Sequence, residues 1–102
     1  MYQLDYLPIT RQDMTEIARY ISHELGNPTA ADRLAQEMIE AAERLREFPY
    51  LNALHYTIKP LNYEYRKQIV RNYIMFYRVE EEEKRVTIAK VIYARRNYND
   101  LL

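Results

Sequence analysis

At 102 residues, with no cysteine and a formal net charge of zero, the chain has the length of one domain that buries about two thirds of its unfolded surface without disulfide staples. The lack of thiols, of an N-terminal export signal and of a long apolar run points to the cytoplasm and away from a membrane. One glycine cannot form a phosphate-cradling loop, and two histidines without a thiolate make a poor metal site, so neither cofactor nor metal is expected.

Residues 2–7 alternate Tyr2, Leu4 and Tyr6 against Gln3, Asp5 and Leu7, which predicts a short strand ended by Pro8. Thr10 with Asp13 three residues on has the spacing of a helix cap. Behind it Met14, Ile17, Ala18, Ile21 and Leu25 fall on one helical face, and Gly26 stands where a left-handed terminator is wanted. Asn27 and Pro28 then suit the start of a second helix, whose stripe runs through Ala31, Leu34, Ala35, Met38, Ala41, Ala42, Leu45 and Phe48 until Pro49 stops it. The small residues in that stripe allow close approach, so the two helices are expected to pair as a hairpin over one sheet face.

Residues 50–63 read as a loop with a short strand around 55–58. A strand follows over 63–71, and 73–79 either continues it or pairs with it after a break at Asn72. The apolar runs 69–79 and 86–94 are rich in β-branched and aromatic residues and predict a β-hairpin. Apolar residues occupy both alternation classes of the first run, as in a central strand. Between the runs, residues 80–85 include four consecutive glutamates and no Gly or Pro, which predicts a long, loose turn and a solvated acidic run rather than an acid–base pair.

Charge is unevenly spread. Residues 10–48 carry eight acids and five bases, whereas 59–78 carry five bases against Glu64, and 86–98 add Lys90, Arg95 and Arg96 unopposed. These bases either converge on a phosphate-contacting patch or lie scattered as solvated charges. Guanidinium groups grip phosphates in a bidentate fork and a tyrosine stacks on a base or moves a proton, so Arg66, Lys67, Arg71, Arg95, Arg96 and Tyr98 are the candidate functional residues.

Several strings, taken in order, resemble the RelE/ParE toxins of bacterial type II toxin–antitoxin modules. They are Asp13, Met14, Glu16, Ile17, Tyr20 and Ile21; Pro28, Ala30 and Ala31; Leu45, Phe48 and Pro49; Arg66; Asn72 through Val79; and Val91, Ile92, Tyr93, Ala94, Arg95 and Arg96. The resemblance implies a single α+β domain over residues 1–102: an N-terminal strand and an antiparallel two-helix hairpin packed on a twisted antiparallel sheet of three to four strands. It also implies a cognate antitoxin bound in a hetero-oligomer, and growth arrest when the toxin is free. Nuclease members cut messenger RNA on the ribosome with sheet arginines and lysines and a C-terminal tyrosine or histidine. On that pattern Arg66, Arg96 and Tyr98 are the catalytic candidates, Lys67, Arg71 and Arg95 contact RNA, and ribosome-dependent mRNA cleavage is the expected activity. Other members bind DNA gyrase with no catalytic site of their own, which is the alternative. Ile74 stands where some nucleases carry arginine, and Tyr98 is closer to Arg96 than the nuclease tyrosine usually is.

Overall fold

The computed structural model describes residues 1–56 and 62–94, and Arg95, Arg96 and Tyr98 fall outside the described residues. Strand β1 (Gln3–Tyr6) leads through Leu7 into helix α1 (Pro8–Arg19), which loosens into a π-helical turn (Tyr20–Glu24). Gly26 at φ 62° reverses the chain. Helix α2 (Pro28–Arg44) follows, capped by the Asn27 side chain, which accepts the Ala30 amide at 3.1 Å. Strands β2 (Leu54–His55), β3 (Tyr65–Val70), β4 (Tyr73–Glu80) and β5 (Arg85–Tyr93) complete a five-stranded sheet in the order β1-β5-β4-β3-β2.

The α+β architecture is the expected one, with two differences in the sheet. It has five strands, and β1 pairs in parallel with β5 at the edge, Gln3 opposite Arg85 through Tyr6 opposite Ile88. The β3–β4 turn falls at Arg71 and Asn72, with Arg71 at φ 53°, so the two segments flanking Asn72 pair antiparallel rather than run on. Glu80 faces Arg85 across β4 and β5, leaving residues 81–84 as the connecting turn with Lys84 at φ 52°. Ala89 is the extra residue of a bulge in β5, since Phe76 faces Lys90 while Tyr77 faces Ile88.

Core formation follows from periodicity. The α2 stripe Leu34, Met38, Ala41, Ala42 and Leu45 packs on Val70, Met75, Tyr77, Val86, Ile88 and Val91, and α1 adds Met14 and Ile17. Each of the larger side chains contributes about 1.5 to 3 kcal/mol by leaving water. Alternate residues of β4 make a second, smaller cluster, where Ile74 and Phe76 meet Ile92, with Tyr65 and Ala94 against them. Strand β4 is therefore central and covered on both sides, as its double apolar pattern indicates.

Two local expectations are corrected. Thr10 and Asp13 do not cap α1, which begins at Pro8 behind Leu7 with no side-chain cap. Thr10 is fully buried and its hydroxyl donates to the Ile88 carbonyl at 2.9 Å, while Asp13 accepts from Lys90 Nζ at 3.0 Å and the Val91 amide at 3.3 Å. Residues with capping chemistry here serve as tertiary anchors. Phe48 is likewise not part of the α2 stripe: the helix ends at Arg44, and Phe48 stands 57% exposed.

Candidate functional site

The candidate residues among those described lie at opposite ends of β3. Arg66 sits opposite Tyr77 near the strand's start, and Arg71 lies in the turn after its end. Four strand residues lie between them, and the five steps from Arg66 to Arg71 span roughly 17 Å at about 3.3 Å per residue.

At the Arg66 end, the guanidinium donates to the Asn52 carbonyl and lies 4.9 Å from the centre of the Tyr50 ring. Asn52 Nδ2 donates to Gln68 at 2.8 Å, and the Tyr77 hydroxyl donates to the Pro49 carbonyl at 2.9 Å. These bonds pin the chain that leaves α2 against β3 and β4. The Tyr50 hydroxyl continues the network to Glu81, which also accepts from Tyr2 and Lys84. The donors from Lys84, Tyr2 and Tyr50 hold the Glu81 carboxyl at about 2, and the same bond pushes Tyr50 up to about 12. The turn expected to be loose is tied by this glutamate to both the N-terminus and the post-α2 segment, though Glu82 and Glu83 are exposed as a solvated run should be.

At the Arg71 end, the guanidinium clasps Glu37 of α2 in a two-pronged pair at 2.5 and 2.7 Å. Hydrogen bonding to Arg71 holds Glu37 below its ordinary range and raises Arg71. Beside this pair a groove of about 1010 Å³ opens between the helical hairpin and the ends of β4 and β5. Tyr20, Tyr73 and Tyr93 supply its aromatic walls, Arg33, Arg71 and Lys90 its bases, and Asp13 and Glu16 its acids. The Tyr73 and Tyr93 rings stand 5.6 Å apart. The π-helical turn contributes Tyr20 and Ile21 to the groove, a placement common for such irregularities.

The basic excess of the sheet half is thus largely met from within. Arg71 pairs with Glu37, Lys90 with Asp13, Arg78 with Glu80, and Arg85 with Asp5 and Glu80. Arg66 and Arg71 are not brought together, Lys67 lies between them on β3 opposite Phe76, and Arg95, Arg96 and Tyr98 are outside the described residues. Sequence reasoning missed Tyr50, Asn52 and Glu81 as an organised corner. The only local hint was Pro49, which halts α2 and hands the next residues to β3 and β4. Among the described residues no cluster of His, Asp or Glu could hold a metal ion, and no helix is long and apolar enough to cross a membrane.

A two-helix hairpin laid across a mixed five-stranded sheet, with no helix outside that hairpin among the described residues, defines a small α+β fold. The family model described as the ParE toxin of the type II toxin-antitoxin system, parDE, matches residues 4–98. The chain belongs to that family, within the RelE/ParE toxins. Its fold is shared by the chromosomal ParDE toxin–antitoxin system of P. aeruginosa, at 18% identity and a TM-score of 0.73 over 93% of this chain and 98% of that one. It is shared also by the isolated E. coli RelE toxin, at 20% identity and TM-score 0.59 over 99% and 95% of the two chains. The intact E. coli RelBE toxin–antitoxin complex matches at 20% identity and TM-score 0.58, over 94% and 100%. No curated protein sequence matches the chain at a significant level.

Proposed function

We propose that this toxin arrests growth by binding a protein target, DNA gyrase, rather than by cutting messenger RNA, and that a cognate antitoxin neutralises it in the cytoplasm. The observation that supports this reading is the engagement of Arg66 and Arg71. One is spent on a backbone carbonyl and a tyrosine ring, the other on a carboxylate, and they face opposite ends of a strand. A nuclease site needs such groups converging on one phosphate.

The groove beside Arg71 is suited to an amphipathic antitoxin segment, with apolar side chains against Tyr20, Tyr73 and Tyr93 and an acidic one toward Arg33. The match to the ParE family model and the toxin–antitoxin complexes among the solved structures of this fold support such a partner. Induction of the chain alone should arrest growth, and co-expression with the antitoxin should relieve it.

The test of mechanism uses purified protein in two reactions run in parallel. Inhibited gyrase supercoiling beside an intact message in a translation reaction is the expected pair of results. Cut message with unimpaired supercoiling would overturn the proposal and favour the ribosome-dependent nuclease, with Arg66, Arg96 and Tyr98 in the catalytic roles and Lys67, Arg71 and Arg95 on the RNA.

A further inference from the structure

We infer that the groove beside Arg71 contains a subsite for a cation, formed by Glu16 with Tyr20, Tyr73 and Tyr93, and that the antitoxin fills it with a lysine or arginine side chain. The inference rests on the reading above that the antitoxin lies in this groove. It adds a base to the apolar and acidic groups assigned to the antitoxin there.

The charges lining the groove cancel in pairs until two are left. Arg71 is clasped by Glu37, and Lys90 is paired with Asp13. Arg33 and Glu16 remain, neither in an ion pair among the described residues and not paired with each other. Glu37, one turn beyond Arg33, feels its charge but is held by Arg71. Glu16 accepts only a long bond from Gln12 at 3.4 Å. Arg19, the nearest base along that helix, lines a second hollow with His23 and Glu24 and is not part of the groove. The two unmatched charges stand on different helices, Glu16 on α1 and Arg33 on α2. A partner that satisfies both carries a base and an acid, and the pair fixes the direction in which its segment runs.

The tyrosines make the Glu16 side of the groove fit for a cation. Tyr20 follows Glu16 by four residues and so shares its helix face. Tyr73 and Tyr93 come from β4 and β5, their rings 5.6 Å apart and tilted by 57°. None of the three hydroxyls is bonded among the described residues. The Tyr73 hydroxyl is raised by burial first and then by the neighbouring Tyr93 and Tyr20 hydroxyls, with no cation among the causes. The phenol oxygens therefore lie near one another, and no base of this chain is seated among them. A lysine or arginine brings donors to these oxygens, positive charge to Glu16 and to the ring faces, and an aliphatic stem that covers the rings. An apolar side chain leaves Glu16 and the hydroxyls unmet, and a carboxylate is repelled by Glu16.

A double-mutant cycle between the purified toxin and its cognate antitoxin tests the inference. Each lysine and arginine in the antitoxin segment that the toxin protects from proteolysis is changed to Met in turn. Affinity is measured against the wild-type toxin and a Glu16→Gln/Tyr20→Leu variant, with circular dichroism to check the fold. The expected result is one antitoxin base whose loss weakens binding about fivefold or more to the wild type and less than about twofold to the variant. Glu16→Lys alone serves where Tyr20→Leu disturbs the π-helical turn, and its coupling should fall on the same base. Equal losses against wild type and variant at every position would overturn the inference, as would a protected segment with no lysine or arginine. Arg33→Asp, on the other helix, tests the placement itself. If this variant and the double variant both bind antitoxin as tightly as the wild type, the antitoxin lies elsewhere, which overturns the reading beneath the inference as well.

Discussion

The two ends of β3 are held together by different chemistry. At the Arg71 end the attachment of helix to sheet is by charge, Arg71 to Glu37 in an exposed pair, and further along the groove Lys90, level with Phe76 and Lys67, forms a largely buried pair with Asp13. At the turn end the attachments are mostly between uncharged groups, with Tyr77 donating to Pro49 and Asn52 to Gln68, and Arg66 resting on a carbonyl and a ring. The difference teaches where each end draws its rigidity. Charge pairs between long, exposed side chains tolerate small displacements of the groups they join. Bonds from core and strand side chains to backbone carbonyls hold a turn in one conformation.

The contrast can be broken most forcefully at Asp13. Asp13→Ala strips Lys90 of its partner in a site where their side chains are 23% and 11% exposed, and leaves the Val91 amide unpaired. Urea unfolding should show a loss of about 2 to 3 kcal/mol, and Asp13→Asn, which keeps an acceptor for the amide, should recover part of it. Tyr77→Phe at the other end removes the bond to the buried Pro49 carbonyl and a longer one accepted from Asn52 at 3.4 Å, and should cost about 1 to 2 kcal/mol. Its sharper signature is local, namely faster hydrogen exchange at the Leu51 amide, whereas Asp13→Ala should leave that amide protected until global unfolding.

The smallest effect belongs to Glu81, which is exposed. Its lowered affinity for protons means its contribution is complete above the ordinary value of 4.5 and is lost as pH falls toward 2. Tyr50 is raised, so the same bond is complete below 10 and is lost as pH rises through about 12. A small gap in melting temperature between the wild type and Glu81→Gln should therefore be constant across the neutral range and close at acid pH. The Tyr50 phenolate, followed by ultraviolet absorbance, should form closer to its ordinary pH in the variant.

These residues also mark what the sequence could reveal. Asn27, Pro28 and Gly26 act on their immediate neighbours, through a bond to Ala30, a fixed φ and a positive φ, so their roles were legible from spacing alone. Thr10 and Asp13 had the same local credentials, yet their partners are Ile88, Lys90 and Val91, far along the chain. Competition between a local and a distant partner cannot be read from spacing. Phe48 was misplaced because the apolar period continued after the helix had ended. The candidate basic residues stood out by their uneven placement along a neutral chain. That Glu37 would meet Arg71, and that Tyr50 and Asn52 would meet Arg66, depended on how α2 crosses the sheet, which no one-dimensional pattern encodes.

The parallel pairing of β1 with β5 joins the first residues of the chain to nearly the last described ones, Tyr6 beside Ile88. Closing so long a loop is entropically slow, and it cannot begin until β5 has left the ribosome. The helical hairpin can form early, but the α1 anchors at Ile88, Lys90 and Val91 arrive with that last strand. A nascent chain therefore lacks its finished surface until β5 has been made and has paired with β1. The α1 anchors and the last strand of the sheet are thus completed together, as one step.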